Sequence, residues 1–541
     1  MNINAKKFKE MLESGSCNLS NNFKKIDELN VFPVPDGDTG TNMSLTFSSG
    51  VKDAINATSE HCGDIAKVLS KGLLMGARGN SGVILSQIFR GFYQSVTDCV
   101  EIDALTLAQA FVKGSEVAYK AVMRPVEGTI LTVIREAADY TLIYTKENKI
   151  QSCIEVMDKF VEEAKISLKH TPELLPVLKE VGVVDSGGAG LVTILLGFQA
   201  ALKGEVITLS NEIQETSSTV QTTMESDEFG YCTEFIIKLN DQSIDKFKED
   251  MLKDVLSRIG DSLVVVQDED IVKVHVHTLK PGDALNYGQR YGEFLKLKIE
   301  NMSEQHENIL ANDKAQVESK QPKKKYAIVA VAAGDGLKTM FEELRVDYVI
   351  SGGQTMNPST EDFVETINKL NAEHIILLPN NSNIVLAAQQ SKSVLEDLDI
   401  HVVESKTIPQ GLSACIMFNP DADLEENLEE MKAAVKNVVT GQITYAIKDT
   451  TFDGLEIHEG DFMGILEKDI VIATTDIMEA SKALLDNMID EDKEILTVIS
   501  GEDTNEEQIN EIVEYVESKY NIEVEVTNGG QPVYSFIFGA E

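Results

Sequence analysis

The sequence is poor in the features that define several common protein classes. It has no tryptophan, and its 6 cysteines are scattered through 541 residues without a CxxC pair. So few dispersed cysteines in a long chain are typical of reduced thiols, and we expect a cytoplasmic protein without structural disulfides. No apolar run approaches the roughly 18 residues of a membrane span, and the first residues lack the apolar segment of a signal peptide. We therefore expect no stable membrane insertion.

Basic charge is also scarce. Lys and Arg total 48 against 89 Asp and Glu, so the formal net charge is −41. An acidic surface repels the phosphates of nucleic acids, and we expect no nucleic-acid partner. The sequence also lacks a GxxxxGK[ST] P-loop and the HRD and DFG signatures of protein kinases. The length predicts about three or four domains of roughly 150 residues each.

Hydrophobic periodicity divides the chain into three domains. Residues 1–204 carry apolar residues at helical spacing, for example at 83–91, 105–123, 130–143 and 191–202, which predicts an all-α domain. Residues 229–307 combine predicted strands at 231–239, 262–268 and 271–279 with a helix at 244–257, which predicts an α+β domain. Polar segments at 205–228 and 308–325 are interpreted as linkers.

Residues 326–541 alternate short apolar strands with helices. Strands are predicted at 326–333, 348–351, 374–379 and 400–404, and helices at 337–345, 360–371 and 383–397. This alternation predicts an α/β domain with a mainly parallel sheet, followed by further strands and helices from about residue 440. The chain as a whole is thus predicted to be a multidomain α and α/β protein.

A short acidic turn is the strongest chemical signal. The segment Asn30–Asn42 reads NVFPVPDGDTGTN and places Asp36 and Asp38 on either side of one glycine. Paired carboxylates in a tight turn suit Mg²⁺, which also takes phosphate oxygens and water as ligands. An ordinary acidic turn would have the same composition, so the turn alone leaves both interpretations open.

Three glycine-rich segments accompany this turn, and each precedes a predicted helix. They are Gly76–Gly82, Met123–Thr129 and Val184–Gly190. Glycines before a helix let its free N–H groups approach an anion, although glycine also commonly ends helices. Together with the acidic turn, these make four glycine-containing segments within 200 residues, which favours a phosphate-binding site. Arg78 and Arg124 are candidates for neutralising charge there.

The middle domain contains a candidate metal strand. In Ile271–Leu279, His275 and His277 alternate with valines and fall on one face, and Cys232 lies on another predicted strand. Two histidines and a cysteine would leave an open fourth position on zinc. A solvated face of an antiparallel sheet explains the same pattern, so spacing alone does not decide.

Two loops of the C-terminal domain follow predicted strands. They are Ser351–Ser359 and Pro379–Asn383, and ligands usually bind at the carboxyl ends of parallel strands. Plain strand-to-helix turns fit both loops as well. Ser359 and Asp362 resemble a capping box at the start of a helix.

Four segments of the first 200 residues carry a specific resemblance. LNVFPVPDGDTGTNM, SKGLLMGARGNSGVILSQIFRG, MRPVEGTILTV and KEVGVVDSGGAGL resemble the DhaL-type nucleotide domain of dihydroxyacetone kinases. They are more similar still to the ATP-binding A subunit of bacterial fatty acid kinases. GYCTEF, DIVKVHVHT, SGGQTMNPSTEDF and GGQPVY extend this resemblance over the remaining chain.

The resemblance implies a barrel of antiparallel helices that binds ATP and Mg²⁺ at one end. Asp36 and Asp38 would then hold Mg²⁺ that bridges the phosphates, and Asn30 stands where dihydroxyacetone kinases carry a third Asp. Residues implied to contact phosphates or ribose, or to close the pocket, are Thr39, Asn42, Asn80, Ser81, Gly82, Thr129, Asp185, Ser186 and Gly187. In the middle domain the resemblance favours zinc at Cys232, His275 and His277.

The implied activity is ATP-dependent phosphorylation of a fatty acid carboxylate. A separate fatty acid-binding protein would present the acid, and the acyl phosphate would enter phospholipid synthesis. The resemblance also implies a homodimer and a C-terminal domain for partner docking or regulation. Two alternatives are a kinase for a small hydroxy-ketone such as dihydroxyacetone and a regulator that binds ATP without turnover. The first of these requires a substrate-binding histidine that the sequence does not identify.

Overall fold

The computed structural model describes residues 2–30, 38–122, 124–210, 231–240, 247, 249–256, 260–268, 271–278, 280–301, 323–353 and 357–541. Asp36 and most of the two predicted linkers lie outside these residues. Contacts divide the chain into two compact units. One contains Met1–Leu209 and Lys323–Glu541, and the other contains Ser210–Pro322.

The first part of the larger unit is entirely helical in its described residues. We call it the helical region. Its helices are α1 (Ala5–Asp27), α2 (Thr39–Asn56), α3 (Cys62–Met75), α4 (Gly79–Val96), α5 (Ala104–Ala121), α6 (Ile130–Glu147), α7 (Cys153–Leu174), α8 (Pro176–Val181) and α9 (Ser186–Lys203). The prediction of an all-α domain is confirmed.

The long helices form a closed ring. Each of α1 to α7 packs against the next, and α9 packs against both α7 and α1. Glycine makes the closing contact possible, because a Cβ on Gly197 would lie only 2.5 Å from the Cα of Gly15. Apolar side chains fill the interior, including stacked rings of Phe111 and Phe160 with centroids 4.1 Å apart. The barrel is therefore a packed core, and a ligand must bind at its end.

Helix α9 is long and apolar enough to cross a membrane by length and composition. Its mean hydropathy over Ser186–Lys203 is 1.2, and 67% of that window is buried inside the molecule. A helix that packs against both neighbours in the barrel needs this composition for its own core contacts.

The smaller unit is a four-stranded antiparallel sheet with two described helices. Strands β1 (Tyr231–Leu239), β2 (Gly260–Asp268), β3 (Ile271–Thr278) and β4 (Gly292–Asn301) run in the order β2-β3-β1-β4, with α10 (Glu249–Leu256) and α11 (Pro281–Gly288). Val272, Val274 and Val276 are fully buried, as the alternating pattern predicted. Thr278, at the same spacing, is buried as well, so positions 272, 274, 276 and 278 share one face of β3.

The C-terminal region, residues 323–541, contains two main sheets. Its strands are β5 (Lys324–Ala332), β6 (Tyr348–Ser351), β7 (Ala372–Leu378), β8 (Asp399–Val402), β9 (Val439–Tyr445), β10 (Thr450–Phe452), β11 (Leu455–Ile457), β12 (Phe462–Leu466), β13 (Asp469–Thr474), β14 (Ile495–Ser500), β15 (Glu523–Asn528) and β16 (Phe536–Ala540). Strands β6-β5-β7-β8 form a parallel sheet, and β13-β12-β9-β16-β14-β15 form a mixed sheet. The prediction of an α/β fold is confirmed.

Helices α12 to α18 cover these sheets. They are α12 (Asp335–Glu343), α13 (Thr360–Asn368), α14 (Val385–Val394), α15 (Ile408–Ile416), α16 (Leu424–Asn437), α17 (Ile477–Met488) and α18 (Glu506–Lys519). The predicted capping box at Ser359 is present: its backbone N–H donates to Asp362 Oδ2 at 2.6 Å, and its hydroxyl accepts from the Asp362 N–H at 3.2 Å. This pair fixes the point at which α13 begins.

Candidate nucleotide site

Four helices of the barrel begin at the same end. The predicted site residues Thr39, Asn80, Thr129 and Ser186 lie at the starts of α2, α4, α6 and α9. The four helix dipoles add positive potential at this end. In the described residues no side chain caps the first turn of α4, so its N–H groups are available to an anion.

The first turn of α2 is held by a carboxylate from the end of α1. Asp27 Oδ1 accepts hydrogen bonds from the N–H groups of Gly40 at 2.6 Å and Thr41 at 3.2 Å, and Oδ2 accepts from the Thr41 hydroxyl at 2.8 Å. Burial raises the pKa of Asp27, and these bonds oppose the rise. A Cβ on Gly40 would collide with the carbonyl oxygen of Phe23. Helices α1 and α2 are thereby locked together beside Asp38.

The first turn of α4 approaches α2 through two glycines. Gly79 has φ +59°, in the left-handed region that favours glycine, and a Cβ there would lie 2.6 Å from Asn42 Nδ2. A Cβ on Gly82 would collide with the hydroxyl of Thr46, which accepts from the Arg78 N–H at 3.1 Å. Gly82 therefore allows the close packing of α4 against α2, and its predicted ligand contact stays a prediction.

The starts of α6 and α9 are joined by one carboxylate. Asp185 Oδ2 accepts from the Gly188 N–H at 2.6 Å and caps α9. Burial raises the pKa of Asp185 to about 6, and hydrogen bonds from the backbone of Gly188 and Ile130 work against that rise. Since Ile130 is the first residue of α6, Asp185 fixes the spacing of two helix N-termini.

Two adjoining cavities lie at this end of the barrel. The smaller one measures about 360 Å³, and its lining from the helical region consists of Asn30, Asp38, Thr39, Asn42, Asn80 and Ser81. The larger one measures about 770 Å³, and its lining includes Asn80, Ser81, Arg124, Thr129, Asp185, Ser186 and Gly187. Asn80 and Ser81 line both cavities. The structure thus brings together predicted site residues from four separate segments of the sequence.

The C-terminal region forms the opposite wall of both cavities. The loop after β7 contributes Asn381, Ser382 and Asn383, and Lys406 follows β8. Ser382 and Lys406 line both cavities. The 379–383 loop was a predicted ligand loop, but Lys406 was missed. Its one signal in the sequence is its position just after a short apolar strand.

The loop after β6 contacts the helical region directly. Asn357 Nδ2 donates to Asp38 Oδ2 at 2.5 Å, and Arg78 Nη1 donates to the Asn357 carbonyl at 2.9 Å. Arg78 also lies 3.5 Å from Asp362 Oδ2. Arg78 is therefore bonded to the C-terminal region. Of the two predicted arginines, Arg124 is the one that lines the larger of these two cavities.

The side chains that line the smaller cavity fit a magnesium–triphosphate group. Asp38 offers a carboxylate, and Asn30 and Asn42 also line the smaller cavity. Asn80 Nδ2 donates to Asn383 Oδ1 at 3.3 Å, whereas its buried Oδ1 has no hydrogen-bond partner among the described residues. An orphaned buried acceptor that lines both cavities suits a ligand donor such as a water molecule bound to Mg²⁺. Asp36, the second predicted carboxylate, lies outside the described residues.

Strand β3, which carries the predicted zinc ligands His275 and His277, pairs with the strand that carries Cys232. Strand β1 pairs with β3 so that Cys232 stands directly opposite His277, and Glu234 stands opposite His275. The zinc site stays a prediction, because the side chains of Cys232 and both histidines lie outside the description.

A second histidine cluster occurs in the parallel sheet. His374 Nδ1 and His401 Nε2 lie 2.6 Å and 2.8 Å from the two oxygens of Asp399, and the three ligand-type atoms are within 4.8 Å of one another. Burial raises the pKa of Asp399, but the hydrogen bonds from both histidines outweigh it and lower the pKa below its ordinary value. Each carboxylate oxygen faces a different histidine at hydrogen-bond distance.

The fold and the site describe a multidomain protein with a barrel of the DAK2 type. The DAK2 domain profile matches residues 33–200, and the FakA-like middle and C-terminal profiles of fatty acid kinases match residues 228–309 and 327–541. Protein YloV of Bacillus subtilis is 47% identical over 100% of this chain and 99% of its own length. An uncharacterized protein of Staphylococcus epidermidis is 45% identical over the same shares. The chain belongs to the FakA-like family of fatty acid kinase proteins.

Two solved structures resemble the chain distantly. A fatty acid-binding DegV family protein from Thermus thermophilus has a TM-score of 0.31 and 14% identity over 40% of this chain and 99% of that chain. The dihydroxyacetone kinase of C. freundii has a TM-score of 0.29 and 14% identity over 41% of this chain and 48% of that chain.

Proposed function

We propose that this protein transfers the γ-phosphoryl group of ATP to the carboxylate of a fatty acid. The observation that carries the proposal is the convergence of four helix N-termini and Asp38 on two adjoining cavities. Family membership supports kinase activity. The acceptor, the separate fatty acid-binding protein that presents it, and a homodimeric state are parts of the proposal that rest on the family.

In this proposal the triphosphate lies between the starts of α2 and α4. The uncapped N–H groups of α4 donate to phosphate oxygens, and Asn80 and Ser81 add side-chain contacts. Mg²⁺, held by Asp38 and Asp36, would neutralise charge on the β- and γ-phosphates. Lys406, at the boundary between the cavities, supplies a cation where the chain is otherwise strongly acidic.

The transfer itself requires little covalent chemistry from the protein. A carboxylate oxygen of the fatty acid attacks the γ-phosphorus, the bond from that phosphorus to the bridging β–γ oxygen breaks, and ADP leaves with the electron pair. The products are an acyl phosphate and ADP, and no proton is transferred, because a fatty acid is ionised at neutral pH. The protein's task is positioning and charge neutralisation.

The test is a transfer assay with the purified full-length chain, ATP, Mg²⁺ and a fatty acid-loaded carrier. Labelled acyl phosphate would support the proposal. Turnover with dihydroxyacetone alone would identify a small-molecule kinase, and ATP binding without any product would identify a nucleotide-sensing regulator.

Asp38→Ala provides the sharper form of the same assay. We expect transfer to fall by on the order of 100-fold or more, because the variant removes a carboxylate that holds the charge-neutralising cation. Asp98→Ala, an exposed carboxylate just beyond the opposite end of α4, is the control and should transfer normally. Full activity in Asp38→Ala would remove the acidic turn from the mechanism.

A further inference from the structure

The loop at residues 357–360 of the C-terminal region is bonded to two parts of the candidate site. Asn357 Nδ2 donates to Asp38 Oδ2 at 2.5 Å, which reaches the acidic turn. The Thr360 N–H donates to the Ala77 carbonyl at 3.1 Å, and Ser359 pairs with Arg78 in an antiparallel bridge, which reaches the glycine-rich turn before α4. One loop therefore connects a proposed cation ligand with the proposed phosphate turn.

Packing holds this loop rigidly against the helical region. Ala77, in the turn before α4, and Val83, within α4, are buried in the same apolar cluster as Phe363 and Ile375 of the C-terminal region. The capping box at Ser359 fixes the loop on its other side. The side chain of Asn357, which contacts Asp38, is thus held at a defined distance from the start of α4.

Asn357 has the chemistry of a residue that orients a carboxylate. It is 2% exposed, so its amide has no access to solvent as an alternative partner. A carboxylate only accepts hydrogen bonds, so the amide nitrogen must face Asp38. A hydrogen bond to one oxygen fixes the plane of the carboxylate, and the several lone pairs of a carboxylate allow it to accept that bond and ligate a cation at once. The Asn357 Oδ1 is buried without a hydrogen-bond partner among the described residues.

We propose that Asn357 is a positioning residue that orients the Asp38 carboxylate for Mg²⁺, so that the C-terminal region completes the nucleotide site of the helical region. The inference rests on the proposed function, because it assumes that Asp38 binds the cation of a magnesium–nucleotide complex. It assigns the C-terminal region a direct part in cation binding, separate from any docking role.

Gln390 provides a matched control for a contact that only joins the two regions. It is also a buried amide, 6% exposed, and its Nε2 donates to the Leu74 carbonyl at 3.4 Å and to Ser86 Oγ at 3.2 Å. It contacts α3 and α4 but lines neither cavity in the described residues. We therefore expect Gln390→Ala to weaken the contact between the helical and C-terminal regions and to leave the Asp38 carboxylate unchanged.

The experiment measures the Mg²⁺ dependence of nucleotide binding by the full chain. A fluorescent ATP analogue is held at fixed concentration while Mg²⁺ is titrated, and the Mg²⁺ concentration at half-saturation is compared between variants. We expect Asn357→Ala to raise it by about 10- to 100-fold, the usual effect of losing a hydrogen-bond partner of a metal ligand. Gln390→Ala should change it by less than about 3-fold, since the carboxylate keeps its partner.

Asn357→Leu, which fills nearly the same volume without a donor, repeats the measurement if the alanine variant does not fold. Thermal unfolding of each variant reports whether the fold is kept. An unchanged Mg²⁺ dependence in the folded Asn357 variants, or an equal shift in Gln390→Ala, overturns the positioning role. A wild-type chain that binds no nucleotide at any Mg²⁺ concentration would instead overturn the proposed function itself.

Discussion

Asp185 shows how a single residue can serve the fold and the candidate site under opposing demands. Its carboxyl group caps α9, lines the larger cavity and has a pKa raised by burial from 3.8 to about 6. A carboxyl group with a raised pKa binds more protons in the folded state than in the unfolded state between these two values. The free energy of unfolding therefore falls as pH rises through this interval, and the loss is complete above the folded pKa.

Asp185→Asn tests this pH dependence. The amide oxygen keeps the cap but cannot ionise, so the variant should match the wild type below about pH 4, where the unfolded carboxyl group is protonated too. At neutral pH it should be more stable by about 3 kcal/mol, since a shift of one pKa unit corresponds to about 1.4 kcal/mol. Thermal unfolding at a series of pH values is the measurement. If the difference in stability between Asp185→Asn and the wild type were the same at all pH values, the Asp185 carboxyl group would not titrate between about pH 4 and 6.

At the scale of the element, the start of α2 depends on the absence of one side chain. A Cβ on Gly40 would collide with the carbonyl oxygen of Phe23 and lie 3.0 Å from Asp27 Oδ1. Gly40→Ala must therefore separate α1 from α2, and we expect a loss of about 1 to 3 kcal/mol of stability. Because the same turn carries Thr39 and precedes Asn42, nucleotide binding should weaken too.

The control for this prediction is a glycine with room for a methyl group. Apart from its chain neighbours and the backbone of its own helix, no heavy atom of the described residues lies within 4 Å of a Cβ built on Gly282, near the start of α11. Gly282→Ala should leave the unfolding of the helical region unchanged in a thermal melt. Equal stability of Gly40→Ala and the wild type would mean that α1 and α2 tolerate a wider separation.

Elements with a strong local pattern were predictable from the sequence. The strands Tyr231–Leu239 and Tyr348–Ser351 have the predicted bounds, and the capping box at Ser359 is present. The sequence after residue 523 did not reveal how its strands pair. It forms two strands on opposite sides of β14, with β15 parallel and β16 antiparallel to it. Pairing partners are set by tertiary contacts, which apolar alternation does not reveal.

The candidate site was predictable where glycine and acidic residues cluster locally. Asp38 and Asn80 lie in short motifs that are informative by themselves, whereas Asp185 was named only through the family resemblance of its motif. Lys406 and the contact of Asn357 with Asp38 were missed, because they depend on how the carboxyl ends of the parallel strands pack against the barrel. A residue that reaches a site across 319 positions leaves no signal in local spacing.

At the scale of the whole molecule, the smaller unit offers a test that is separate from the nucleotide site. Strand β1 runs beside β3, with Cys232 directly opposite His277. We predict one zinc ion per chain, bound by Cys232, His275 and His277, with an open fourth position. Metal analysis of purified protein should find stoichiometric zinc that is lost in His275→Ala. Removing the zinc should lower that unit's unfolding temperature, because binding to the folded state stabilises it.

The histidine pair in the parallel sheet supplies the matched control for this measurement. His401 and His374 flank Asp399 at hydrogen-bond distance, so they form the competing cluster within the described residues. His401→Ala should leave the zinc content unchanged if the metal is bound in the smaller unit. Zinc that disappears in His401→Ala but persists in His275→Ala would place the ion in the C-terminal region and leave the β3 histidines as a solvated strand face.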